Sequence, residues 1–174
     1  MIQPVKDFVE KFLQDKHFKK VLEVGSRDVG PGSIKPTFLT HYDSYIGLDM
    51  IDGNEVDVVL DAEDLLTLYP KNSFDCVVCV ETLEHVKNPL KIVENMRKVL
   101  KPGGWMIITT PGTGHPEHGW PSDYYRFWVN TYKDVFFVGF EDCYFEAKTW
   151  EGNNPSLPDA ILGYGRKPNL SNKS

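Results

Sequence analysis

The chain has 174 residues, enough for one domain with a single core, and its 41% hydrophobic and 25% charged residues exclude a disordered protein. A net charge of -6, with no basic run beyond Lys19-Lys20, argues against a protein that grips nucleic acid by its phosphates. No stretch approaches the ~20 apolar residues of a membrane span and MIQPVKDFVEKF lacks a secretion-signal layout, so a cytoplasmic protein without a membrane partner is expected.

Val5, Phe8, Val9, Phe12 and Leu13 lay one apolar stripe along a predicted helix over Pro4 to Phe18. Val21 to Val24 reads as a first strand, broken at Gly25 into the loop SRDVGPGS. IKPTFLTHY predicts a short helix with Ser33 as N-cap and Pro36 in its first turn. Strands follow at Tyr45 to Leu48 and Asp57 to Leu60, then a helical turn near Glu63 to Leu68. Phe74 to Val80, FDCVVCV, is the continuous apolar run of a central parallel strand covered on both faces. Cys76 and Cys79 lie three apart in it and so face opposite ways, which reads as buried structure and not as a redox pair.

Asn88 as N-cap and Pro89 at the first helical position open a helix whose inward stripe is Leu90, Val93, Met96, Val99 and Leu100. LKPGG stops it, and Trp105 to Thr110 is the fifth strand. Pro111 to Trp128 has no period but is crowded with glycine, proline, aromatics and histidine, the composition of a working loop. A helix around Asn130 to Val138 and a hairpin of Glu141 to Trp150 with Ala160 to Arg166 close the chain, and the tail NLSNKS is expected to fray. The expected fold is one doubly wound α/β domain, with a seven-stranded, mostly parallel sheet whose last strand is antiparallel.

Acids or small residues stand at four strand ends: Glu23-x-Gly25, Asp49, Asp61-Ala62-Glu63 and Glu81. In a parallel sheet these ends converge on one rim. Asp49, about 20 residues past the glycine loop, is placed either to accept hydrogen bonds from two ribose hydroxyls or to cap the next turn. Gly25 and Gly30 have the spacing of a phosphate-binding P-loop, but Pro31 stands where that motif needs lysine. Arg27 likewise replaces the second glycine of the dinucleotide fingerprint. A rim of acids suits a ligand with ribose hydroxyls and positive charge better than a polyphosphate.

The ordered set VLEVGS, YIGLDM, LDAEDL, FDCVVCVETLEHVKNP and LKPGGWMIITTP resembles the class I S-adenosylmethionine-dependent methyltransferases of the type 11 branch, with a Rossmann-like sheet. The resemblance covers Val21 to Pro111. It implies that Glu23 and Gly25 lie by the methionine part of S-adenosyl-L-methionine, that Asp49 holds the ribose, that Asp61-Ala62 lies along the adenine, and that Glu81 sits near the methyl group. Ser26, Met50 and Glu63, beside these positions, complete the implied cofactor contacts. The domain then divides into an N-terminal helix (1–20), a cofactor-binding core (21–111), a substrate loop (112–128) and a C-terminal helix and strands (129–168). The family's loop more often reads G-x-G-x-G, whereas this chain has Gly25-Ser26-Arg27-Asp28-Val29-Gly30-Pro31-Gly32, in which Arg27 either turns away or pairs with Asp28.

HGWPSDYYRFW resembles a segment after the fifth strand of type 11 relatives, several of them tied to cell-surface glycan or secondary-metabolite pathways. It places His118, Asp123, Tyr124 and Arg126 as candidate catalytic residues, with Arg126 either clamping an acceptor carboxylate or phosphate or pairing with Asp123. His85 reads as a general base or as a hydrogen-bonding residue at the helix start. Glu81, Glu84, His85, His115 and His118 match no closed zinc spacing, so no metal is expected. The function expected is methyl transfer to an oxygen or nitrogen of a small-molecule or sugar-like acceptor, in a chain free to be a homodimer. Its rivals are a non-catalytic cofactor-binding or assembly module and a nicotinamide-dependent oxidoreductase.

Overall fold

Side chains that alternate along the strands send apolar groups to both faces of one sheet, and helices cover each face. The computed structural model describes residues 3–30, 32–119 and 122–169. Its strands are Phe18–Val24 (β1), Tyr42–Asp49 (β2), Val58–Val59 (β3), Phe74–Val80 (β4), Leu100–Pro111 (β5), Glu141–Lys148 (β6) and Ala160–Arg166 (β7), ordered β3-β2-β1-β4-β5-β7-β6. The first five pair in parallel, and β7 runs antiparallel to both β5 and β6. The expected seven-stranded sheet with its antiparallel last strand is present.

Gln3–Leu13 (α1) and Lys35–Phe38 (α2) cover one face, where Phe8, Phe12 and Phe38 meet Val21, Cys76 and Val78. Leu65–Leu68 (α3), Pro89–Val99 (α4) and Val129–Thr131 (α5), the last continued by a π turn over Tyr132–Phe136, cover the other, around Val77 and Cys79. Cys76 and Cys79 are buried on opposite faces. At 11 residues α1 is shorter than a helix that holds in water alone, so its five buried side chains, at about 1.5–3 kcal/mol each, keep it in place. No helix among the described residues is long and apolar enough to cross a membrane.

Several boundaries differ from those read in the sequence. The first helix ends at Leu13, and Phe18 opens β1 instead, because its ring is equally well buried from a strand, parallel to Phe12. Ser33 does not cap α2 at its N-cap position, which is Ile34; its Oγ accepts from the Lys35 amide at 3.0 Å. Leu90 is 59% exposed, since the buried face of α4 centres on Pro89, Ile92, Val93, Met96 and Val99 and leaves Leu90 at its outer border. KPGG ends α4 and is itself part of β5, where Gly103 takes φ +77° and a Cβ on Gly104 would sit 2.9 Å from the Asp75 carbonyl oxygen. The pairing with β4 shifts register there, so the glycines form an irregularity inside the strand. The tail beyond Asn169, together with Pro31, Trp120 and Pro121, lies outside the described residues.

The sheet order changes direction between β1 and β4, and ligands of open α/β sheets bind outside the strand ends at such a point.

Candidate functional site

A cleft of about 260 Å³ opens over the carboxyl ends of β1, β2 and β4. Its floor depends on Gly25, whose φ is +79° and whose absent Cβ would stand 2.2 Å from Thr82 Oγ1. Only glycine lets the β1 loop and the β4 loop meet so closely. The Gly25 and Ser26 amides donate to the Leu48 carbonyl, which ties the loop to β2. Asp49 follows at the rim, its Oδ1 accepting from the Ile51 amide at 2.9 Å and its Oδ2 from the Arg27 amide at 3.3 Å. Each carboxylate oxygen keeps a second lone pair. Asp61 accepts from the Glu63 amide at 2.8 Å, and Asp61 and Ala62 both line the cleft. Met50, Ile51, Leu60, Val86 and Ile92 add an apolar wall. Arg27 lays its stem against Gly53, while Asp28 accepts from the Gly30 amide, so the two turn apart and form no ion pair among the described residues.

Three residues of the expected cofactor set stand off the cleft. The Glu23 carboxyl is buried and accepts from the Tyr45 hydroxyl at 2.8 Å; burial pushes its pKa up to about 8. Ser26 is buried with its side chain against Gly47, and its Oγ has no hydrogen-bond partner among the described residues. Glu63 sits on the turn before α3, where Asn88 donates to it at 2.7 Å and Lys91 at 3.2 Å. That bond also occupies the Asn88 side chain, which therefore does not cap α4.

The opposite end of the cleft is built on β4. Glu81 has φ +47° and accepts from Thr109 Oγ1 at 2.9 Å, and burial pushes its pKa up to about 7. A 3-10 turn, Leu83–His85, then places Glu84 fully buried, with neither carboxylate oxygen hydrogen-bonded among the described residues. Burial, and then the Glu81 charge, raise its pKa. His85 Nδ1 lies 2.7 Å from the Ser122 carbonyl oxygen. A carbonyl only accepts, so the ring carries a proton on Nδ1, and its Nε2 lies 3.5 Å from Glu84 Oε1. His118 brings Nε2 to 3.8 Å from the same oxygen and Nδ1 to 3.3 Å from Asp123 Oδ2. Burial, and then His115, lower the His118 pKa. Both rings line the cleft.

Arg126 does not point at an acceptor. Its five N–H groups are all used inside the loop, bidentate on Asp123 and singly on the carbonyls of His115, Pro116 and Tyr125. The guanidinium holds the Asp123 carboxyl down at about 2. Asp123 is likewise committed, to Arg126 and to the His118 amide, so both residues organise the loop. The Tyr124 amide fastens the loop to the Glu84 carbonyl at 2.7 Å while its ring is 46% exposed and off the cleft lining. Spacing along the chain hid one grouping: ligand-capable atoms of Glu84, His85 and His118 lie within 4.8 Å of one another. It also gave no sign of Thr82 as the partner of Gly25, a contact that only the sheet creates.

A family model described as a methyltransferase domain matches residues 1–150. The chain belongs to the class I S-adenosylmethionine-dependent methyltransferases. This methyltransferase is 27% identical over 124 residues to the ubiquinone biosynthesis O-methyltransferase of Nitrosomonas europaea, a match over 63% of this chain and 51% of that protein. The chain thus spans about half the length of the curated relatives it matches. Its fold is that of a SAM-dependent methyltransferase from Archaeoglobus fulgidus, with TM-score 0.69 and 16% identity over 93% of this chain and 94% of the other. It is also that of Haemonchus contortus phosphoethanolamine N-methyltransferase 2 in complex with S-adenosyl-L-methionine, with TM-score 0.67 and 18% identity over 93% of this chain and 51% of the other. The family's cofactor is S-adenosyl-L-methionine, and the cleft has chemistry that fits it: carboxylate acceptors at Asp49 and Asp61, an apolar wall beside them and a glycine loop that lets backbone come close.

Proposed function

We propose that the chain transfers a methyl group from S-adenosyl-L-methionine to an oxygen of a small-molecule acceptor. The observation that carries this reading is the division of one cleft into two chemistries, hydrogen-bond acceptors and apolar wall at β2, and imidazole nitrogens over the buried Glu84 carboxyl at β4. The O-methyltransferase names of the curated relatives support oxygen as the acceptor atom.

When bound, the cofactor supplies an electrophilic methyl carbon on a positively charged sulfur. Asp49 accepts from the ribose hydroxyls, and Asp61 with Ala62 lies along the adenine edge. Met50, Ile51, Leu60, Val86 and Ile92 exclude water from the purine, and Glu81 sits below the methyl end. Orientation of the two reactants is the protein's main contribution, worth up to ~7–11 kcal/mol in favourable cases. The acceptor hydroxyl is presented beside His85 and His118, the imidazoles that line that side of the cleft and act as its proton acceptors.

The test is transfer of isotope-labelled methyl to a panel of hydroxylated small molecules, with S-adenosylhomocysteine affinity measured by calorimetry. Asp49→Ala should weaken that affinity by about 1–3 kcal/mol, the loss of a charged hydrogen bond. Unchanged affinity refutes the ribose assignment, and binding of a nicotinamide cofactor in place of S-adenosylhomocysteine refutes the whole reading.

A further inference from the structure

We propose that Glu84, His85 and His118 form a divalent-metal site at the acceptor end of the cleft, taking a zinc-, cobalt- or manganese-class ion whose open position holds the acceptor oxygen. The ion's binding stands on the geometry alone, whereas its task toward an acceptor rests on the methyl-transfer reading.

Glu84 is fully buried, and both its carboxylate oxygens lack hydrogen-bond partners among the described residues. Buried carboxyls are kept in proteins when something satisfies them. The atoms facing Glu84 Oε1 are two imidazole nitrogens, at 3.5 and 3.8 Å, too far for a hydrogen bond. They are close to the spacing of neighbouring ligands around a tetrahedral ion, about 3.4 Å for metal–nitrogen bonds of about 2.1 Å. Two nitrogens and one carboxylate suit a borderline transition ion better than calcium or magnesium, which take oxygen donors.

The surroundings are those of ligands held in place. His85 gives its Nδ1 proton to the Ser122 carbonyl, which turns Nε2 toward Glu84. His118 Nδ1, 3.3 Å from Asp123 Oδ2, makes no hydrogen bond among the described residues, but the His118 amide donates to Asp123 at 2.8 Å and Asp123 is clamped bidentate by Arg126. A hydrogen-bond acceptor behind the ring, as the Ser122 carbonyl is for His85, is the usual outer partner of a metal-bound imidazole. This gives the Asp123–Arg126 pair a task that substrate clamping does not: it orients a ligand. Both histidines line the cleft, so three protein ligands leave an open position toward it, the arrangement of catalytic and not structural metal sites. With the ion present the ring nitrogens are ligands and not bases. The ion then makes the acceptor hydroxyl more acidic, and its proton passes to water.

The experiment uses the full chain without a tag, stripped with a chelator and titrated with Co(II) followed by visible ligand-field absorption. One ion per chain is expected, bound more than about 10-fold more weakly in Glu84→Gln, in His85→Ala and in His118→Ala, at least the loss that outer partners alone produce. Thermal unfolding and S-adenosylhomocysteine calorimetry on the same proteins report whether each variant is folded. His118→Ala lies on a loop and keeps the test open should Glu84→Gln fail to fold. No ligand-field bands, or Co(II) affinity indifferent to all three substitutions, overturns the site. Co(II) binding without S-adenosylhomocysteine binding upholds the site and sinks the methyl-transfer reading; the reverse sinks the metal site alone.

Discussion

At the β2 end of the cleft, Asp49 and Asp61 are held by backbone amides of their own or the adjoining loop, those of Ile51, Arg27 and Glu63. At the β4 end, Glu84 is buried and Glu81 half-buried beside a loop that arrives from beyond β5, and their pKa values rise because water is removed from them. The first end is made by strand termini, so its residues follow from chain order. The second is made by convergence, and its properties belong to no single segment. A cofactor common to a family suits the first kind of construction, while the second can change with one loop.

Four substitutions sharpen or break that contrast. The largest effect is expected at Gly25→Val, where a left-handed backbone (about 1–2 kcal/mol) meets a clash with Thr82 (about 1–3 kcal/mol). Denaturant unfolding should show a loss of roughly 2–5 kcal/mol with S-adenosylhomocysteine binding abolished; wild-type stability would mean the two loops do not meet.

Glu23 comes next. Its folded pKa, about 8, lies above its ordinary value of 4.5, so the folded state keeps a proton that the unfolded chain releases. Stability therefore falls as pH rises from about 4.5 to about 8, by a few kcal/mol at about 1.4 kcal/mol per unit of pKa difference. Glu23→Gln should flatten this fall in unfolding curves taken across that range. Glu81 and Glu84, also raised by burial, keep part of the slope in either protein, so a slope as steep as that of the unsubstituted chain would place the titrating carboxyl elsewhere.

Arg126→Ala should cost about 1.5–3 kcal/mol through lost charged hydrogen bonds, read as easier proteolysis of loop 112–128. Turnover should drop while S-adenosylhomocysteine affinity holds; a parallel loss of affinity would dissolve the distinction between the two ends. Smallest is Glu63→Ala, which removes solvent-screened surface contacts to Asn88 and Lys91. Cofactor affinity should not move, and a clear drop would return Glu63 to the cofactor site.

The sequence by itself determined the elements whose signals are local. The apolar run FDCVVCV could only be a covered strand, with Cys76 and Cys79 on opposite faces. Asn88-Pro89 marked the start of α4, and Asp49, Asp61 and Gly25 were readable as strand-end residues because parallel strands all deliver their termini to one rim. Boundaries slipped where two conformations bury a side chain equally, as at Phe18, or where glycines serve as an irregularity in a strand, as at Gly103-Gly104. Only the tertiary structure decided that Glu23 turns to Tyr45, that the five donors of Arg126 are spent on its own loop, and that Glu84, His85 and His118 share one point. Those outcomes depend on which groups the folded chain removes from water together, and spacing along the chain does not carry that distance.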